Sequence, residues 1–388
     1  MPPRGFSEAE FRDRTARIRS GLAAAGIDAL LLTTEADIRY VTGFLTRFWE
    51  SPTRPWFVVV PLGGDPVAVI PSIGAELMEQ SWITDIRTWS SPDYFDDGIS
   101  LLARSLRELS GSSGVIAVPD GPETHLRMPL ASWSVLQARL GARRMESDKG
   151  IMRKVRLIKS PAEIAKIETA CAIAGRAFSR LPEIARAGVP LEAVFRKFQM
   201  LCLEEGADWV SYLAGGAGPS GYRDVISPAS DRPLAPGDVL MLDTGAVHDG
   251  YFCDFDRNAS IGPAHDRVRS AHARLIEATE AGFQAARPGQ RASDVFRAMS
   301  EVLTDNTGGP DATAGRLGHG LGLQLTEPPS LMPQDQTLLR PGMVLTLEPV
   351  LSCDDGCFLA HEENIVIEET GARWLTRPAG RDLRELPA

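Results

Sequence analysis

The chain has 388 residues, 43% of them hydrophobic and 24% charged, with a formal net charge of −10, which is enough for two domains with ample core. The acidic balance argues against nucleic acid or an anionic membrane as main partner, while leaving small substrates open because the local field of a pocket decides there. No stretch of eighteen apolar residues and no signal-like leader occurs, so the expectation is a cytoplasmic protein without a membrane span.

Ser7-Glu8-Ala9-Glu10 has the form of a capping box and opens a predicted helix to about Ala25, with Phe11, Ile18 and Leu22 on one side. Ala29–Leu32 follows as a short buried strand, and Trp56–Pro61 and Val67–Pro71, joined by Gly63-Gly64-Asp65, read as a hairpin. Strand Val115–Val118 and a helix over Leu130–Leu140 complete an α/β domain, residues 1–148, with no cluster of metal-type or nucleophilic side chains. Its loop Thr46-Arg47-Phe48-Trp49-Glu50 offers an exposed Arg47 and Trp49 as candidate binding residues.

The second domain, residues 149–388, begins another pattern. Ser160-Pro161-Ala162-Glu163 is a capping box with proline at the first helical position, opening a helix to about Arg186. A second helix runs from Pro190 to about Glu205, and Gly215–Gly218 reads as a tight turn. From Pro263 the order recurs: helix to about Ala286, helix Ala292–Leu303, glycine-rich Gly315–Gly322, then strands around Met343–Glu348 and Glu362–Ile367. Two halves of helix, helix and hairpin suggest an internal repeat with the hairpins turned inward. Five cysteines without a CxxC pair (Cys171, Cys202, Cys253, Cys353 and Cys357) fit reduced thiols.

The chemistry gathers in those hairpins. Asp243 ends an apolar run and Asp254 lies in the next one, although aspartate is a poor strand former. With the turn set at His248-Asp249, the two fall opposite each other, Cβ atoms roughly 5 Å apart. His319 sits between Gly318 and Gly320, and Glu348 and Glu362 repeat the arrangement with glutamates. Four clustered carboxylates must be protonated, paired with bases, or holding metal. Oxygen-rich ligation with one imidazole suits a pair of divalent ions, manganese first, with cobalt, iron or zinc as alternatives, bridged about 3.5–4 Å apart.

At this point the chain resembles the pita-bread metallohydrolases: aminopeptidase P, prolidase, methionine aminopeptidase and the metal-free creatinase. The resemblance rests on MRKVRLIKSPAEIAKI, LDTGAVHDGYFCDFDR, GHGLGL, GMVLTLEP and EENIVI. It implies a creatinase/prolidase-type amino-terminal α/β domain followed by a pita-bread catalytic domain of pseudo-twofold internal symmetry. It assigns Asp243, Asp254, His319, Glu348 and Glu362 as the five ligands of two metals, with His319 and Glu348 also catalytic. The implied reaction is hydrolysis of an amide or peptide C–N bond by a metal-bridging hydroxide, Glu348 passing the proton to the leaving nitrogen. Xaa-Pro dipeptides or short peptides are the implied substrates. A small non-peptide amide, or elimination from a small zwitterion by a metal-dependent lyase, are the alternatives.

Three positions depart from the proline-specific pattern. Ile226 and Thr326 stand where those members carry histidines, and Ala360 where they carry an arginine. Candidate substrate-binding residues are therefore Ile226, Thr326, His361 and Arg223, with Arg316 a further source of charge. Asp256 either supports a ligand or pairs with Arg257. The resemblance also implies a homodimer in which Arg47 and Trp49 reach the partner's pocket.

Overall fold

Valine-rich Phe57–Pro61 is buried throughout, and it pairs antiparallel with both Ala29–Leu32 and Val67–Pro71. Asp85–Trp89 adds in parallel beside 67–71, and Val115–Val118 and Arg144–Ser147 add in parallel beyond 29–32, giving a six-stranded mixed sheet. Leu31, Phe57, Val59 and Val69 meet Leu102, Leu106 and Leu136 of two covering helices in one core. These elements belong to a unit spanning Pro3–Arg156; Leu157–Ala388 form the other. The structure, a computed structural model, describes residues 2–51, 54–304, 315–353 and 356–388.

In the second unit the Ser160/Glu163 capping box is formed on both sides, and the helix it opens runs Pro161–Ser179. It stops short of the expected Arg186. Pro182 has no N–H to continue the ladder, and it disfavours helical geometry at Leu181, so a single 3₁₀ turn, Leu181–Glu183, follows instead. Helix Leu191–Glu204 precedes strand Trp209–Gly218. The expected turn at Gly215–Gly218 is part of that strand. A Cβ at Gly215 would lie 2.1 Å from the Met241 carbonyl, and one at Gly216 2.8 Å from the Asp224 carbonyl, so these glycines admit a close approach of backbone rather than a reversal.

Val239–His248 pairs with 209–218 on one side and with Phe255–Ile261 on the other, and Arg384–Leu386 closes that sheet. The second sheet orders Glu327–Ser330, His319–Gly320, Val344–Leu347, Glu363–Ile367 and Ala372–Trp374. Helices Asp266–Ala285 and Ala292–Leu303 pack closely where a Cβ on Gly282 would meet Met299 at 2.8 Å. Their Leu275, Ala278, Val295 and Met299 join Val239, Met241, Leu345, Leu347 and Ile365 in a single core that spans both sheets. Each half thus supplies two helices and an inward hairpin.

The register of the first hairpin differs from the expectation. Val247 pairs with Phe252 and His248 with Tyr251, so the two-residue turn is Asp249-Gly250, both at positive φ (50° and 83°). An Asp-Gly pair at positive φ matches the twist of a tight hairpin. Asp243 therefore faces Asp256, and Asp254 lies in a break of the ladder at Cys253–Asp254. A buried ion pair between Lys166 and Asp249 and a hydrogen bond from Tyr251 to Glu163 (3.0 Å) fasten the turn to helix 161–179.

Candidate metal centre

The second hairpin has a matching break. Leu347 pairs with Glu363, and Val350 with Ala360, in one continuous register. Between those rungs stand Glu348 and Glu362, outside any strand, with His361 N–H donating to the Pro349 carbonyl (3.1 Å). The two hairpins are joined at their breaks. Asn364 Oδ1 accepts from the Asp254 N–H at 3.0 Å, its Nδ2 donates to the Asp254 carbonyl, and Asp256 Oδ1 accepts from the Glu362 N–H at 3.1 Å.

His319 enters from the neighbouring strand. A Cβ at Gly318 would lie 2.3 Å from the Thr346 carbonyl and one at Gly320 2.2 Å from the Pro328 carbonyl, so only glycines allow the imidazole's strand to pass here. Thr346 Oγ1 accepts from the His319 N–H (3.1 Å), and His319 Nδ1 sits 2.8 Å from the Gly320 carbonyl. That contact puts the proton on Nδ1 and leaves the Nε2 lone pair for an electrophile. Nε2 looks instead at carboxylates, 3.4 Å from Asp254 Oδ2 and 3.8 Å from Glu348 Oε2.

The candidate donor atoms of Asp254, His319 and Glu362 lie within 4.8 Å of one another, and all three residues are buried. Asp243 and Glu348 are half-buried. Among the described residues, Asp243 Oδ1 and Glu362 Oε1 are buried without a hydrogen-bond partner. Burial, then Asp256 and Glu348, push the Asp243 carboxyl up to about 8, and burial pushes Glu348 up to about 7 against the pull of Arg316. Asp254 is raised well above the ordinary range by burial, then Asp243 and Glu348, and Glu362 by burial, then Asp254, Asp243 and Glu348. Burial, then Arg316, lower His319 to about 4. A neutral imidazole facing mutually repelling acids with orphaned oxygens is the donor set that divalent cations satisfy.

Three contributors went unnoticed in the sequence: Asn364, Thr346 and Tyr212. Tyr212 faces Asp243, and its phenol is raised by burial and by Asp243, Asp254 and Glu362. Asn364 alone had a signal, as a polar amide inside the apolar run ENIVI; the structure buries it fully.

The candidate substrate residues separate. Arg316 Nε lies 3.6 Å from Glu348 Oε1 and its Nη2 3.4 Å from Thr326 Oγ1, linking Thr326 to the carboxylates. Ile226 is 86% exposed and Arg223 is exposed on the same bend. His361 is 1% exposed, wedged between Asp256 (Nδ1 to Oδ1, 3.4 Å) and Glu363 (Nε2 to Oε1, 3.2 Å). It therefore has no exposed edge for a substrate. Asp256 does not pair with the Arg257 side chain either; Arg257 Nη1 donates to the Asp256 carbonyl, and Nη2 meets Glu363 at 3.0 Å. In the other unit Arg47 is exposed beside Glu50. Trp49, expected to be exposed, is 8% exposed, packed on Trp56 and under the Arg127 guanidinium. No helix among the described residues is long and apolar enough to cross a membrane.

Residues 165–372 match the metallopeptidase family M24, and residues 14–158 match the creatinase/prolidase N-terminal domain. A probable dipeptidase PepE of Mycobacterium bovis is 29% identical over 377 residues, covering 96% of each chain. An Xaa-Pro dipeptidase of Pyrococcus horikoshii is 25% identical, covering 90% of this chain and 93% of that one. The crystal structure of dipeptidase PepE from Mycobacterium ulcerans superposes with a TM-score of 0.84 at 27% identity, covering 99% of this chain and all of that one.

Proposed function

Because this chain belongs to the metallopeptidase family M24, a family of metal-dependent hydrolases, we propose that it is a dimetal peptidase acting on Xaa-Pro dipeptides or similarly short peptides. The observation that carries this reading is the juxtaposition of Asp254, His319 and Glu362 with the orphaned oxygens of Asp243 and Glu362. Asp243, Asp254, His319, Glu348 and Glu362 would hold the ions, manganese being the first candidate. When bound, two such ions supply a water of lowered pKa and polarise the scissile carbonyl.

The protein's own groups do the rest. Glu348, half-buried and beside Arg316, would take a proton and return it to the leaving nitrogen, a role that the family resemblance assigns to it. Arg316, bridging Glu348 and Thr326, offers a cation to a substrate carboxylate. Thr326 retains a hydroxyl donor. Xaa-Pro specificity is supported by the likeness to the Xaa-Pro dipeptidase of Pyrococcus horikoshii. A cytoplasmic homodimer completes the reading, with Arg47 exposed in the amino-terminal unit.

The test is activity of metal-stripped protein reconstituted with manganese, cobalt, iron or zinc, against Xaa-Pro dipeptides, longer Xaa-Pro peptides and small non-peptide amides. Metal-dependent release of proline is expected. Uptake of two metals with no proline release would discard the peptidase reading and direct the search to small amides or elimination substrates.

A further inference from the structure

We propose that His361 is a positioning residue for the metal centre, holding Glu362 in place through Asp256 and Glu363; this rests on the reading of Glu362 as a metal ligand. Glu362 stands in the break of its ladder, between the Leu347–Glu363 and Val350–Ala360 rungs. Its place is set by side chains instead. Asp256 Oδ1 accepts its N–H (3.1 Å), and Arg257 Nη1 donates to its carbonyl (3.2 Å). Both clamps come from two consecutive residues of the other hairpin.

His361 sits between the clamps, at ion-pair distance from both carboxylates, its Nδ1 not in hydrogen-bond geometry with Asp256. Its ring lies between Asp256 Oδ1, the atom that holds the Glu362 amide, and Glu363 Oε1. Glu363 in turn meets Arg257 Nη2 through its other oxygen (3.0 Å) and accepts from the Ala379 N–H (2.8 Å). His361, Asp256 and Glu363 are all at most 2% exposed. An apolar side chain at 361 would leave two buried carboxylates without the group between them, and Asp256 free to leave the Glu362 amide. A ligand carboxylate needs its geometry kept within about 0.5 Å, so such a shift is felt at the metal.

Calorimetric titration of manganese into metal-free wild type, His361→Gln and His361→Leu, with thermal melts and steady-state kinetics alongside, tests this. Wild type takes up two ions; His361→Leu weakens manganese binding by about 10–100-fold at the site or sites that Glu362 serves. His361→Gln, which keeps a donor toward one carboxylate, falls between them. Turnover drops with metal occupancy, KM stays close to wild type, and excess manganese restores rate. Unchanged affinity at both sites in the folded variants, even with a lower melting temperature, would overturn the proposal and leave His361 a packing residue. His361→Gln decides alone if His361→Leu does not fold: wild-type affinity there also overturns it. A wild type that binds no manganese would overturn the metal-centre reading itself, an outcome independent of any variant.

Discussion

Asp256, rather than Asp254, stands directly across the first hairpin from Asp243. Two acids on opposing strands repel, and after burial Asp256 is the main reason the Asp243 carboxyl is raised to about 8. A carboxylate raised in the folded state, against about 3.9 unfolded, contributes stability that is complete below the unfolded value and is lost as pH climbs through the folded one. Metal-free wild type should therefore lose stability relative to Asp243→Asn as pH rises from about 4 to about 8, with Asp243→Asn the more stable at pH 8. Urea midpoints of both metal-free proteins at pH 5, 6.5 and 8 check this; a gap that does not widen with pH would contradict it.

Asn364 bonds to both the N–H and the carbonyl of Asp254, and it also accepts from Cys171 Sγ at 3.2 Å. Truncation by Asn364→Ala removes the tether without touching a donor atom. Manganese affinity should fall by about 10–100-fold, the usual cost of losing a group that orients a ligand. Metal binding of the folded variant, followed by calorimetry, is the measurement.

Arg316 is the cation beside Glu348 and Thr326. If it receives a substrate carboxylate, Arg316→Ala should raise KM for a free dipeptide by about 10–100-fold, from a charged hydrogen bond of about 1.5–3 kcal/mol. Amidated substrate should lose far less. Equal losses on both substrates would assign Arg316 to tuning Glu348 instead.

Trp49 and Arg47 should separate experimentally. Trp49→Ala opens a hole beside Trp56 and under Arg127 and should cost about 3–5 kcal/mol of unfolding free energy. Arg47→Ala removes an exposed ion pair with Glu50 and should cost less than about 1 kcal/mol. Any effect of Arg47→Ala on KM that depends on protein concentration would favour a role across a dimer; wild-type kinetics and a monomer in sedimentation would oppose it.

The metal-type residues were legible because each breaks a local rule: aspartates inside apolar strands, a histidine between glycines, glutamates at strand ends. Helix starts were legible too, since Ser160 and Glu163 carry their cap in four residues. What misled was whatever depends on a partner far along the chain. Read locally, the turn of the first hairpin falls one residue early, because Asp249-Gly250 as the positive-φ pair is decided together with the pairing beyond it. Gly215–Gly218 looked like a turn, since its reason for being glycine is the Met241 and Asp224 backbone. Trp49 and His361 looked like surface candidates, because burial by Trp56, Asp256 and Glu363 has no local signature.

The break in the second hairpin has a consequence for how the centre survives thermal motion and mutation. Pairing keeps the same register on both sides of Glu348 and Glu362, from Leu347–Glu363 to Val350–Ala360. A slip of one residue would carry the two glutamates out of alignment, and it would also turn Leu345, Leu347, Ile365 and Ile367 away from the core they share. Misalignment of the chemistry is thus forbidden by the oiliness of its neighbours. The gap can stay open, crossed by the His361 N–H to Pro349 carbonyl bond and with neither glutamate in the ladder, because the strands on either side act as a vernier that has a single reading.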